Sequence, residues 1–365
     1  MAGKFERKRF SDINLNDPFF DSLKRDYPGN ENSAGFIEWF NRKASEGKKA
    51  LVFEDEQGVG AFINLKPGEI EEIELQDGRV LPNASRMKIT TIKIDDRYRG
   101  KRIGEGAIGL TLWHWQQSGE NEIYVTTFAK QDALIALLQK YGFEHVGNNL
   151  NGEYIFIKDR RHLDFSDPCK AFPFLSNSIE HAGLLIIDMD YHDTMFAYSE
   201  LANTIQERVD LSVANGLKKV YIGNGANVGF REGEPVFIYR KYTGTGQKGF
   251  KSVITGYCIA TKIQKIRSGG RPLVSYEEFM RMIGNKSVFD EFELRTKYET
   301  SSTLMFIELL YYGYFGSGNN VNWMWLKDNG CMPDGVYPMS IRYTRDEFER
   351  ILKEGNVDVS NVIVD

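Results

Sequence analysis

Cysteine is scarce in this chain. Its 365 residues include three, Cys169, Cys258 and Cys331, far apart and without a CxxC pair. That gives no zinc site and suits a reducing, cytoplasmic setting. Long hydrophobic runs are also missing. No stretch approaches the roughly 20 apolar residues that a membrane helix needs, so no membrane partner is expected. Met1 to Phe10 is basic but has no apolar core behind it, and does not read as a signal peptide. There is no internal repeat and no low-complexity segment. Positive charge is in deficit, with a net −5. This argues against generic nucleic-acid binding while leaving room for a local basic patch.

The remaining composition is that of a soluble globular protein, with 41% hydrophobic and 27% charged residues. The 13% aromatic content argues against large disordered regions. The length allows two domains.

Residues 1–160 read as mixed α/β. The pattern predicts a first strand over 5–13, helices over 19–27 and 34–46, and a hairpin of 50–53 with 60–65 around Asp55-Glu56-Gln57-Gly58. Residues 69–83 read as acidic and irregular. A strand over 87–94, a helix over 103–117, a strand over 122–126 and a helix over 130–140 follow, the last stopping at Gly142. Strands over 143–146 and 154–158 close the region. Residues 161–175 carry charge and then Ser166-Asp167-Pro168, as a linker does. Residues 176–365 are strand-rich and punctuated by glycine. Strands are expected over 220–222, 235–239, 252–266 and 303–311, and helices over 276–283, 323–328 and 345–354. Thr344 and Glu347 are spaced as a capping box.

Arg99-Gly100-Lys101-Arg102-Ile103-Gly104 is the most informative stretch. It joins the 87–94 strand to the 103–117 helix. Amides at a helix start point outward and the helix dipole favours negative charge there, so this is how a chain cradles a pyrophosphate. Glycine lets the backbone come close. The alternative is a tight β–α turn whose Arg and Lys side chains face solvent.

Together with Gly142-Phe143 after the 130–140 helix, this loop resembles that of the GNAT acetyltransferase superfamily. The family pattern is Arg/Gln-x-x-Gly-x-Gly/Ala. Arg99 and Gly104 match its ends, and Arg102 replaces the usual inner glycine. The order of elements over 1–160 is similar to the family fold. The resemblance implies acetyl-CoA as the cofactor, its pantetheine lying between two splayed parallel strands against the backbone of Ile92 and Ile94. The pyrophosphate would sit on Arg99, Gly100, Lys101, Arg102, Ile103 and Gly104. A bulge helps to open such a gap, and the apolar phase slips by one residue between Ile89 and Ile92. The family often uses a tyrosine as acid where this chain has Leu138. Tyr141 lies three residues on, on roughly the same helix face, and either replaces it or packs beside Phe143. Gln131 stands where the family often has asparagine. No acidic side chain lies between Met87 and Ile94, so no general base is named. Glu71, Glu72 and Glu74 precede that strand as base candidates or as a solvated loop.

Gly244-Thr245-Gly246-Gln247-Lys248-Gly249 matches GxGxxG, but a strand rather than a helix is expected after it, which fits a hairpin tip. Leu184 to Asp190 is similar to the nucleophile strand of haloacid-dehalogenase phosphatases, yet no distal lysine and paired acids accompany it. Asp188, Asp190 and His192 have metal-ligand chemistry but no second cluster, which favours a polar strand edge.

Glu232 to Arg240, a long hairpin and Ser252 to Gly256 resemble the core of PUA-like domains, the superfamily that includes ASCH and EVE modules. The resemblance implies a small β-barrel with added helices that binds RNA or modified bases. Between Arg231 and Arg271 nine basic residues face two acidic ones. Arg240, Lys241, Tyr242, Lys248 and Lys251 form the candidate nucleic-acid set, with aromatics interleaved as base stacking wants. The alternative is that the aromatics fill the barrel and the lysines are solvated. Trp323 and Trp325 read as core or pocket wall. The fold class expected is therefore an α/β, GNAT-like mixed sheet followed by a PUA-like β-barrel. The function expected is acetyl-CoA-dependent N-acetyl transfer to an amine, RNA-linked and presented by the second domain. The alternative function is a non-catalytic nucleic-acid-binding protein with a degenerate acetyltransferase fold.

Overall fold

The computed structural model describes residues 4–29, 34–199, 201, 212–225 and 227–365. Its contacts fall into two units, Met1–Asp159 and Arg160–Asp365. Among the described residues no helix is long and apolar enough to cross a membrane.

The first unit runs β1 (Lys4–Arg9), α1 (Asp21–Asp26), α2 (Phe36–Ser45), β2 (Lys49–Asp55), β3 (Gly58–Glu74), β4 (Val80–Ile94), α3 (Ile103–Ser118), β5 (Glu122–Thr127), α4 (Asp132–Lys140), β6 (Glu144–Asn148) and β7 (Tyr154–Asp159). The seven strands form one mixed sheet in the order β1-β2-β3-β4-β5-β7-β6. Every neighbouring pair is antiparallel except β4 with β5. Neighbouring strand residues point to opposite faces, and the two faces carry different helices. Phe62 joins Phe10, Phe20, Phe36 and Phe40 in an aromatic core under α2. Its neighbour Ala61 points the other way, to Tyr98 and Ile103 at the start of α3. Helix α3 is apolar nearly all round, as a helix enclosed by protein must be. It ends on Gly119 in the left-handed conformation.

The sequence reading of 69–83 as irregular is corrected. β3 and β4 continue as a long two-stranded arm whose register shifts between Lys66 and Glu69 and between Glu71 and Ile73. Each shift breaks the alternation by which a strand is recognised. The arm folds back across β5 and β7, where Ile73, Leu75 and Leu81 meet Tyr124, Ile155 and Ile157. Its tip is tied to β6 by Gln76 N donating to Asn148 O at 3.0 Å and the Arg79 guanidinium donating to Val146 O at 2.9 Å. The slip expected near Ile89 is a bulge. Asn64 faces Thr91 and Leu65 faces Ile89, leaving Thr90 as the extra residue.

The second unit opens with α5 (Pro168–Ala171), β8 (Leu175–Ser176), β9 (His181–Asp188), α6 (Met189–Met195), α7 (Ser212–Asn215), β10 (Lys218–Gly223), β11 (Pro235–Lys241), α8 (Lys248–Lys251) and β12 (Val253–Ser268). It continues with β13 (Arg271–Pro272), α9 (Tyr276–Ile283), α10 (Glu291–Thr300), β14 (Leu304–Tyr314), β15 (Val321–Asn322), α11 (Trp323–Asp328), β16 (Arg342–Thr344), α12 (Arg345–Glu354), α13 (Val359–Val362) and β17 (Ile363–Val364). The main sheet follows β10-β14-β12-β11-β9-β16, with β13 and β15 against β12. The expected closed barrel is not seen among the described residues, since β10 and β16 stand at the two ends of an open path. The stretch 161–175 falls in this unit and buries Cys169, Ala171, Phe172 and Phe174. The Thr344–Glu347 capping box is present.

Strands β12 and β14 approach so closely at Gly256 that a methyl group there would fall against the Gly313 carbonyl and lie 2.9 Å from Tyr314 Cα. Both obstacles are backbone and cannot swing aside. Gly256→Ala will lower stability by about 3 kcal/mol, the upper end of overpacking costs, as read by urea unfolding.

Candidate active site

The parallel pair β4 and β5 is joined only over Arg86–Ile89 and Glu122–Val125. Beyond the bulge at Thr90, β4 continues from Thr91 to Ile94 paired with β3 alone, and Thr126 and Thr127 of β5 pair with β7 alone. The two strands part at the bulge, leaving a gap with a backbone edge on each side. Extended, amide-bearing chains bind to such edges. Helix α1 sits over the gap on one face, where the Lys93 ammonium donates to Phe19 O and to Ser22 Oγ. From the end of α1, Tyr27 reaches Phe128 (ring centroids 6.0 Å) and donates to Glu153, and Asp26 pairs with Lys130 at 3.2 Å. Burial, aided by the Glu153 charge, pushes the Tyr27 hydroxyl up to about 12, so it stays protonated.

At the far end of β4 the chain turns into α3 through a firmly held loop. Asp95 accepts from Arg97 N at 3.0 Å. The Arg97 guanidinium donates to the carbonyls of Gln57, Gly58 and Val59 at 3.1, 3.1 and 2.9 Å. Tyr98 is buried with its hydroxyl on Asp55, and burial and that bond together raise it to about 12. Sequence reading gave Arg97 no role, because its partners belong to the β2–β3 turn. Gly100 has φ +81°, and Arg102 has φ +60° where the family pattern has glycine. A non-glycine residue there costs roughly 1–2 kcal/mol. Arg102 does not stand open as a phosphate ligand. Its guanidinium bonds Glu105 at 2.6 Å, and Lys140 bonds the other Glu105 oxygen at 2.8 Å. Burial alone would raise the Glu105 carboxyl, but these two cations hold it down at about 2. Lys101 is exposed, and Arg99 is exposed beside Asp96. The amides of Ile103 and Gly104 open α3 and have no acceptor within the helix. A methyl group on Gly104 would meet Leu137 and Ile94 only at ordinary distances of 3.4 and 3.5 Å.

Tyr141 and Leu138 are both fully buried at the end of α4. An enclosed tyrosine is poorly placed to meet a leaving group, so we do not assign Tyr141 the acid. Of the carboxylates before β4, Glu72 and Glu74 are exposed, while Glu71 is half-buried beside Lys88 and Tyr124.

In the second unit the five candidate nucleic-acid residues separate. Arg240 is buried and donates to both oxygens of Asp193 at 2.7 and 2.8 Å, so it is not a surface contact. Lys241 pairs with Asp188 at 3.1 Å. Lys251 lies 4.7 Å over the Tyr242 ring, and Lys248 and Lys251 bracket the exposed Phe250 on α8. That one-turn helix begins inside the GxGxxG stretch, at Lys248, and stands before β12 where a strand alone was expected. Among the described residues no three His, Cys, Asp or Glu side chains group as metal ligands. His192 is instead buried between Asp193 and Thr255, each at 2.8 Å. A cavity of about 520 Å³ is walled by Tyr191, Tyr221, Phe289, Trp323 and Tyr337, with Lys241 among its lining.

No protein-family model matches this chain, and no curated protein matches it. Several solved structures are similar to part of it. Ard1 from Thermoplasma volcanium is 14% identical, covering 44% of this chain and 98% of its own, with a TM-score of 0.32. The GNAT family N-acetyltransferase YhbS from Escherichia coli, in complex with CoA, is 15% identical over 44% of this chain and 82% of its own, at 0.29. A mutant of ZmASCH from Zymomonas mobilis is 11% identical over 47% and 94%, at 0.31.

Proposed function

We propose that the first unit is an acetyl-CoA-dependent N-acetyltransferase and that the second recruits an RNA-linked amine. The observation that carries the first half is the parting of β4 from β5 at the Thr90 bulge, with the opening turn of α3 at the end of the gap. The backbone of Ile92 and Ile94 would hold the pantetheine amides. The amides of Ile103 and Gly104 would take the pyrophosphate, with Lys101 and Arg99 supplying positive charge. The bound thioester supplies an activated acetyl group. Holding an amine beside it converts the transfer into a unimolecular step, and a thiolate is a good leaving group. We place the reaction in the cytoplasm, where the three free cysteines stay reduced.

The RNA half rests on the Lys248–Lys251 turn and on the aromatic cavity, whose ring walls suit a stacked base. The second reading, a nucleic-acid binder without catalysis, is favoured by Leu138 at the family's acid position and by the enclosed Tyr141. Incubation with labelled acetyl-CoA and cell extract separates the two. Label recovered in RNA supports the proposal, label in protein or small molecules overturns its RNA half, and absence of transfer supports the binder. Reversing Lys248 and Lys251 to Glu will weaken RNA binding and flatten its salt dependence by about one log unit per lost phosphate contact. Unchanged binding would remove the RNA assignment.

A further inference from the structure

The packing of the first unit holds Glu71 by one of its two carboxylate oxygens. Glu71 lies on β3 where the arm begins. Its Oε1 accepts from Lys88 Nζ at 3.0 Å and from the Tyr124 hydroxyl. Lys88 also sits 5.2 Å over the Tyr124 ring. Its Oε2 has no partner among the described residues, and the side chain is 32% exposed. Tyr124 is buried beneath the arm, packed with Ile73, Leu75 and Ile155. One oxygen is therefore clamped and the other is left open.

The position of this group in the sheet gives it meaning. Lys88 and Tyr124 are register partners, one residue before Ile89 and Val125, the last joined pair of β4 and β5. Glu71 itself pairs with Ala84, further back on the arm, and its carboxylate is held by these two side chains, which stand one residue before the point where the gap opens. It stands on the α1–α2 face, because Lys88 pairs with Lys66, and Lys66, Asn64 and Phe62 alternate onto that face. The opposite face is occupied by α3, whose opening turn would take the phosphates. A thioester reaching into the gap from the α3 side meets its acceptor from the Glu71 side.

We propose that Glu71 receives the ammonium group of the acceptor and takes its proton, an assignment that rests on the acetyl-transfer reading above. The acceptor R–NH3+ gives one proton to Oε2. The freed lone pair attacks the thioester carbonyl carbon and forms the C–N bond. The C–S bond then breaks with its electron pair on sulfur, and the thiolate takes the second amine proton. Glu71 returns its proton to water. Lys88 and Tyr124 act as positioning residues that fix the direction of Oε2.

The test uses the full chain and two coenzyme A thioethers, one carrying S-propyl and the other S-(3-aminopropyl). By calorimetry the wild type will bind the amine conjugate about tenfold more tightly, the size of one hydrogen bond to a charged group. Glu71→Gln, which keeps the side-chain shape, will abolish that preference and leave the S-propyl affinity unchanged. Equal affinities in the wild type, or a preference that survives in the variant, would overturn the assignment while leaving the coenzyme site standing. Failure of both conjugates to bind the wild type would overturn the coenzyme reading and the assignment with it. The proton step is read by acetyl transfer to phenethylamine, protonated at neutral pH, and to aniline, which is not. Glu71→Gln will slow the first by about 100-fold or more and the second by less than about threefold. Equal losses, or a wild type that binds the amine conjugate yet acetylates neither amine, would overturn that step.

Discussion

Gly104→Glu will abolish the thermal stabilisation that acetyl-CoA gives the wild-type chain. At a hundred times its Kd the ligand stabilises the native state by about 2.7 kcal/mol, a shift of several degrees for a chain of this size. The variant isolates the phosphate contact for two reasons. Gly104 has ordinary room for a Cβ, so the fold survives the change. The new carboxylate stands at the second residue of α3, where a pyrophosphate would meet the amides of Ile103 and Gly104. Two anions cannot share that end. Differential scanning calorimetry with and without acetyl-CoA reads the result. A wild type that shows no shift would remove the cofactor assignment, and a variant that keeps the full shift would move it elsewhere.

Asp193→Ala will cost about 3–5 kcal/mol, the range for breaking a buried ion pair. Asp193 accepts two bonds from Arg240 and one from His192, and its removal leaves a guanidinium only 7% exposed without its counter-ion. The same residue sets an acid limit. Burial would raise its carboxyl, but Arg240 and His192 outweigh that and hold it at about 2, against 3.8 when free. A depressed carboxyl stabilises the fold fully above its free value, and the contribution fades as pH falls through the folded value. The wild type will therefore lose about 2 kcal/mol between about pH 4 and pH 2 from this group. The variant will lack that component. Urea unfolding of both proteins across this range checks it, and parallel pH curves would contradict it. His192 does not oppose the effect, because burial drives its pKa down and a depressed imidazole also loses stability as pH falls.

Much of the first unit was legible because its signals are local. Strand periodicity, the Gly142 stop and the loop before α3 all lie within a few residues of what they determine. The β3–β4 arm was not legible, since two register shifts scramble its alternation. Helix α10 was missed although its Asp290–Glu293 capping box was readable, because Phe292 points to solvent at 77% exposure and spoils the apolar stripe. Charge was the least legible property. Arg102 and Arg240 count as free cations in the sequence, yet Glu105 and Asp193 claim them, the latter from 47 residues away. Glu71 could not be told from Glu72 and Glu74 until the fold placed Lys88 and Tyr124 around it.

The arm that crosses β5 and β7 also closes a ring in the chain. Arg79 is fastened to Val146, 67 residues away. β4, the loop before α3, α3 itself, β5 and α4 all lie between those two points. Closing so long a loop is entropically slow, and contacts of high sequence separation form late. The clasp therefore reports completion. Both strands that border the gap lie inside that span, and amide exchange there will follow opening of the clasp rather than fraying of single strands.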